Sequence, residues 1–316
     1  SLAVEDVPRP NGRRPASEGE LRRWLENMAW HHRFTRDEMA SATGLSAGEI
    51  EAALRRFDIR ADNRPRRARD APLLVLPYPG GRHPRIGFLE GAVRPQRETK
   101  VSVFAPWDDA QYVVLDVPEA IWWDQGKREL LYLAHTHVPT TWTKRSVELP
   151  PTEWQVNRQG ELRMRRTLPN GVAFGTRIRP SAKSVQMEMR LHNGTSNTLR
   201  DLDVQACVLL KGAPPLAELT NDNKVFSKPY AACGNADRDR WVVTAWAPCQ
   251  RVWGNERCPC MHSDPRFPDC DPGETVRLSG WLSFYEGTDV RAELQRIDML
   301  PWREGLGNAA QGELVP

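Results

Sequence analysis

No stretch of this 316-residue sequence approaches the roughly twenty consecutive apolar residues that a membrane-spanning helix needs. The longest apolar runs, such as Tyr112–Val117, have the length of a strand. An excess of one charge is missing too. The 44 Lys and Arg against 41 Asp and Glu leave a net charge of +3, too little to argue for a nucleic-acid partner. Nor is there a Gly-x-Gly-x-x-Gly, a Gly-Lys-Ser/Thr phosphate loop, a Gly-x-Ser-x-Gly or a His-Glu-x-x-His. These absences disfavour nucleotide-dependent and nucleophilic-serine chemistry. Cysteine is absent from the first half, and no repeat or low-complexity segment occurs. What remains, 40% hydrophobic and 27% charged residues, is the composition of a globular chain.

Residues 1–17 are polar and Pro-containing and read as an extended arm. A small module of three helices is expected over 18–60. Glu20–Arg33 places Leu21, Trp24, Leu25 and Met28 on one helical face. Thr35 with Glu38 forms a capping-box signature, Gly44 suits a helix end, and Ser46 with Glu49 repeats the box before Ile50, Ala53, Leu54 and Phe57. The stretch Thr35–Ile50 resembles a helix-turn-helix unit. Its last helix, however, begins Ala47, Gly48, Glu49 and carries Glu51, whereas a DNA-reading helix needs basic or amide groups there. A helical accessory packed on the main domain is the expectation. Residues 61–71, with Arg64, Arg66, Arg67 and Arg69, read as a basic linker.

From Pro72 the texture changes to β-rich runs separated by turn signals such as Asn157-Arg-Gln-Gly160, Pro169-Asn-Gly171 and Asp271-Pro-Gly273. Val185-Gln-Met-Glu-Met-Arg-Leu alternates as a strand with one buried and one wet face. The pattern predicts a mainly β protein, with a large antiparallel β-sandwich over 72–300 and a tail over 301–316. A weak helical pattern occurs around Glu119–Trp123, and a terminal helix is expected over 289–298.

Several clusters offer chemistry. Arg82, His83 and Arg85 sit in a Gly/Pro-rich loop, suited to holding an anionic substrate and donating a proton. His135 and His137, two residues apart, share a face if extended; they are candidates for a divalent metal, or for an acid and a substrate anchor. Asp222, Asn223 and Lys224 suit a sugar or carboxylate pocket, and turn chemistry explains them equally well. Among twelve tryptophans, Trp107 and Trp142 are candidates for stacking on a sugar ring. Cys258-Pro-Cys260-Met-His262-Ser-Asp264, with Cys270 beyond, has the donors for zinc but not the usual Cys-x-x-Cys spacing. Disulfides with Cys207, Cys233 or Cys249 as partners are the favoured reading, releasing His262 and Asp264 for a site. With a first residue that is not Met and no apolar targeting segment, the cysteines point to a secreted or periplasmic protein.

The stretches Val185-Gln-Met-Glu-Met-Arg-Leu-His-Asn-Gly-Thr, Asp203-Val-Gln-Ala-Cys-Val-Leu-Leu and Pro272-Gly-Glu-Thr leading into Arg277–Tyr285 resemble the galactose-mutarotase-like β-supersandwich, over roughly residues 160–290. That fold is shared by sugar epimerases and by domains of polysaccharide lyases and glycosidases. The whole chain also looks like secreted bacterial proteins with the same helical front end. The resemblance implies a histidine acting as general acid and a late-strand glutamate acting as general base. Glu286, closing Trp281-Leu-Ser-Phe-Tyr-Glu, matches the glutamate's place, and His83, His135 and His137 are candidates for the histidine.

Together these readings lead to the expectation of a secreted carbohydrate-active enzyme using His/Glu acid–base chemistry, as epimerase, lyase or hydrolase, with a saccharide as partner. A non-catalytic saccharide-binding protein is the alternative, and a regulatory protein using the helical module for DNA or a partner is the third reading.

Overall fold

A computed structural model describes residues 12–68, 70–80, 97–124, 126–134 and 138–307. The chain is mainly β. One sheet of seven strands runs in the order β1 (Val75–Pro77), β2 (Lys100–Phe104), β3 (Tyr112–Asp124), β9 (Val204–Leu209), β14 (Cys260–Pro265) and β13 (Cys249–Asn255), with β4 (Arg128–Leu133) also paired to β3. The second sheet has eight strands, in the order β10 (Lys224–Ser227), β11 (Tyr230–Gly234), β12 (Arg240–Ala247), β15 (Thr275–Glu286), β8 (Ser184–Asn193), β7 (Val172–Pro180), β6 (Leu162–Thr167) and β5 (Gln155–Val156). All these pairings are antiparallel.

Period-two alternation puts every second side chain of each sheet into one shared core. Val101, Val103, Val113 and Leu115 of the first sheet meet Met187, Met189, Leu191 and Leu282 of the second there. Each such side chain contributes about 1.5–3 kcal/mol by leaving water. The first sheet also buries an ion pair across β2 and β3. Lys100 Nζ lies 2.7 Å from Asp116, which also accepts a hydrogen bond from Thr99 Oγ1 at 2.5 Å. On the far side of the second sheet, α4 (Val290–Asp298) covers β11, β12 and β15, seating Val290, Leu294 and Ile297 on Trp241, Val243 and Trp281. Its Asp289 cap accepts from the Ala292 amide.

The expected helices form as α1 (Glu18–Glu26), α2 (Arg36–Thr43) and α3 (Ala47–Arg56), and both capping boxes close as read. The first helix differs in one respect. After α1 it widens into a π turn, Asn27–His31. That turn carries His32 to the first sheet, where its Nε2 is 2.7 Å from Ser102 Oγ, and Asn27 Nδ2 donates to the Pro77 carbonyl at 2.9 Å. The module thus packs on the sandwich while keeping its own core of Leu25, Met28, Met39, Ile50 and Leu54. Glu49 and Glu51 are exposed at the start of α3. The helical pattern around Glu119–Trp123 is overturned: it lies in β3, where Ala120 and Ile121 pair with both β4 and β9. Neighbouring strands on both sides override a weak local preference. Among the described residues, no helix is long and apolar enough to cross a membrane.

Candidate functional site

Arg82, His83, Arg85, His135 and His137 lie outside the described residues. The others are spread over both sheets. Glu286 ends β15, exposed, with its carboxylate 3.9 Å from Arg240 Nε. Trp107 stands nearby: the Arg240 guanidinium lies 5.6 Å from its ring centroid, and the ring meets Phe284 edge-on at 5.2 Å. Trp142 is buried in the core and donates its indole N–H to the Leu131 carbonyl. In the polar run, Asp222 is exposed, while Lys224 is buried and directs its ammonium to Asn223 Oδ1 at 3.1 Å and to the Thr220 carbonyl. His262 and Asp264 are buried in β14 of the other sheet. Glu286 and His262 therefore do not share a cleft.

The expectation of disulfides is overturned, because none of the six cysteines is in one. Three of them gather instead around His262. Cys260 and His262, two apart on β14, share a face. Cys207 of β9 is the cross-strand partner of His262. The ligand atoms of Cys207, Cys260 and His262 all lie within 4.8 Å of one another. Cys207 and Cys258 both hydrogen-bond the Cys260 thiol. These hydrogen bonds, with the His262 imidazole 3.6 Å away, pull that thiol far below the usual range. On its other side, His262 Nδ1 is 3.3 Å from Asp264 Oδ1. Burial alone would lower the imidazole's pKa, but its bonds to Asp264 and Cys260 raise it overall. Asp264 also receives Arg251 Nε at 2.8 Å, Trp253 Nε1 at 2.7 Å and the Ala206 amide at 3.1 Å. The Trp253 ring stacks on the imidazole with centroids 4.0 Å apart. Cys207 was read from the sequence only as one of three possible disulfide partners; its place beside His262 comes from strand register, since it is far upstream.

A second concentration of function-bearing residues was not singled out in the sequence at all. On the side of the eight-stranded sheet away from the core, strand register aligns Arg163, Arg177, Glu188 and Ser279 in one row. The next row holds Arg165, Gly175, Arg190 and Arg277, and Arg179 lies opposite Gln186. Two carboxylates organise these arginines. Glu161 accepts from Arg177 Nη2 at 2.7 Å, and Glu188 from Arg190 Nε at 2.6 Å. Burial alone would raise the Glu161 carboxyl, but the Arg177 hydrogen bond and the charges of Arg177, Arg163 and Arg179 hold it below the ordinary value. Gly175 keeps the middle of the face flat; a Cβ there would stand 2.5 Å from the Met164 carbonyl oxygen. His192 borders the arginines, with Nδ1 3.1 Å from Thr275 Oγ1. The only sequence signal was the polar half of the β6, β7 and β8 alternation. α4 and the turn Pro301–Glu304 bound this face on one side, and the Leu306 amide reaches Glu188 Oε2 at 3.4 Å. Elsewhere, a groove of about 830 Å³ between the helical module and the sandwich is lined by Trp30, His31, Arg67 and Glu153, among others.

No known family and no curated protein matches the chain. Among solved structures, it is similar to a putative aldose 1-epimerase from Klebsiella pneumoniae subsp. pneumoniae MGH 78578, at 13% identity and a TM-score of 0.31, covering 46% of this chain and 57% of that one. The chain thus spans little more than half the length of that relative. A protein of Synechocystis sp. PCC 6803 is similar at 14% identity and a TM-score of 0.32, over 60% of this chain and 88% of that one. A polysaccharide lyase matches at 11% identity and a TM-score of 0.39, over 73% of this chain and 35% of its own length. At such scores these likenesses carry no argument about chemistry.

Proposed function

We propose that this protein binds an acidic saccharide along the arginine-lined outer face of the eight-stranded sheet. The observation that carries this reading is the register of β6, β7, β8 and β15, which sets six arginines on one outer face, with Glu161 and Glu188 buried beneath them. Guanidinium groups offer paired donors that match a carboxylate or sulfate in two parallel hydrogen bonds. The two glutamates act by fixing the guanidinium groups in place through their ion pairs, so the surface itself offers donors. The net excess of arginine selects an acidic chain over a neutral one, whereas the interspersed carboxylates disfavour the dense phosphates of a duplex. This reading uses only groups of the one face and calls on neither Glu286, exposed beside Arg240, nor His262, buried in the other sheet.

Isothermal titration with polygalacturonate, and with neutral dextran as control, tests the reading. Saturable binding of the acidic polymer alone is expected, weakening as salt rises because the exposed charges are screened. Equal affinity for dextran, or none for either polymer, would remove it.

A further inference from the structure

We propose that Cys207, Cys258, Cys260 and His262 are the four ligands of a tetrahedral zinc ion buried in the seven-stranded sheet. Zinc takes thiolate sulfur at about 2.3 Å and imidazole nitrogen at about 2.0–2.1 Å, and a tetrahedral angle then sets the S···N edge near 3.6 Å. Cys260 Sγ and His262 Nε2 are 3.6 Å apart. The Cys207 thiol completes a triangle with them inside 4.8 Å. Cys258 is the fourth ligand in this proposal: it hydrogen-bonds the Cys260 thiol, and the Cys260 amide folds back to its carbonyl at 2.7 Å. Its sulfur, which stands outside the 4.8 Å group, has only to turn inward to close the tetrahedron.

Three further features fit a metal rather than a packed group of thiols. The imidazole's second nitrogen faces Asp264, the outer-shell carboxylate that fixes the tautomer and orientation of a ligating histidine. Asp264 is itself held by Arg251, Trp253 and the Ala206 amide, more anchoring than a plain strand residue needs. The remaining cysteines are occupied differently, each thiol donating to a backbone carbonyl: Cys233 to Leu216, Cys249 to Arg251 and Cys270 to Glu274. Three soft sulfurs with one imidazole select zinc over magnesium or calcium. Exposures of 0–2% for all four ligands leave no open position for water or substrate, so the centre is structural. It ties β9 to β14 and closes the turn that precedes β14.

The test is metal analysis of the full chain, expressed with zinc and purified under reducing conditions, together with the absorption spectrum after cobalt replacement. The expected result is one metal per chain and the intense visible band of tetrahedral cobalt–thiolate coordination. Cys260→Ala and His262→Phe should lose the metal, whereas His262→Cys, which keeps four ligands, and Cys249→Ser, outside the centre, should retain it. Asp264→Asn should weaken affinity by about 10–100-fold while leaving the cobalt spectrum tetrahedral. Substoichiometric metal in the unaltered chain would overturn the proposal, as would a disulfide joining Cys207 to Cys260, or full retention by Cys260→Ala. Because the unaltered chain is itself a readout, a variant that fails to fold does not shelter the idea.

Discussion

The two sheets place their polar residues by the same alternation and to opposite ends. In the seven-stranded sheet, Lys100, Asp116, His262 and Asp264 point where no water reaches, and each is tied to a named partner. In the eight-stranded sheet, Arg163, Arg165 and Arg277 share a face open to solvent. A buried polar group costs much when its partner is removed, whereas an exposed one costs little and remains available to a ligand. The first sheet therefore has the more to lose in stability from a polar substitution, and the second carries the face proposed above to bind saccharide.

This contrast sets the order of expected effects. Lys100→Met leaves the Asp116 carboxylate uncompensated and should lower the unfolding free energy by about 3–5 kcal/mol in urea denaturation, with saccharide affinity at the surviving folded fraction unchanged. Arg190→Ala probes the place where the two kinds of site blend, because it faces solvent yet neutralises Glu188, whose side chain is fully buried. A loss of about 1–3 kcal/mol, together with weaker binding, is the outcome that fits; a purely electrostatic surface role would change binding alone.

Acid offers a way to compare the sandwich with the helical module. Burial, reinforced by Arg64 and Arg67, lowers His31 from 6.5 to about 4. Its folded form stays neutral where the unfolded chain takes up a proton. Stability from this group is thus complete above pH 6.5 and falls as pH drops toward about 4, by roughly 1–2 kcal/mol after allowing for its part exposure. His31→Phe should flatten that slope in chemical denaturation series, and an unaltered slope would contradict the account. The smallest stability effect belongs to Arg165→Ser with Arg277→Ser, within about 0.5 kcal/mol by thermal melting.

Much of the fold was legible because its signals are local. The capping boxes at Thr35–Glu38 and Ser46–Glu49, the alternation of Val185–Leu191 and the helix after Asp289 each declare themselves within a few residues. The site was less legible because strand register is non-local. His262 was singled out, but its neighbour Cys207 arrives only through the pairing of β9 with β14. The arginines of β6, β7, β8 and β15 look like an ordinary wet face until pairing stacks them into rows. Six cysteines in the second half suggested disulfides for the same reason: composition counts thiols, and only geometry says which ones meet. With no disulfide present, the cysteine argument for an oxidising compartment falls away.

The most direct test of the division between the sheets is polygalacturonate affinity of the Arg165→Ser/Arg277→Ser double variant, measured by titration beside the unaltered chain at low salt. The account predicts affinity weaker by about tenfold or more with an unshifted melting temperature. Undiminished affinity in a folded double variant would contradict it.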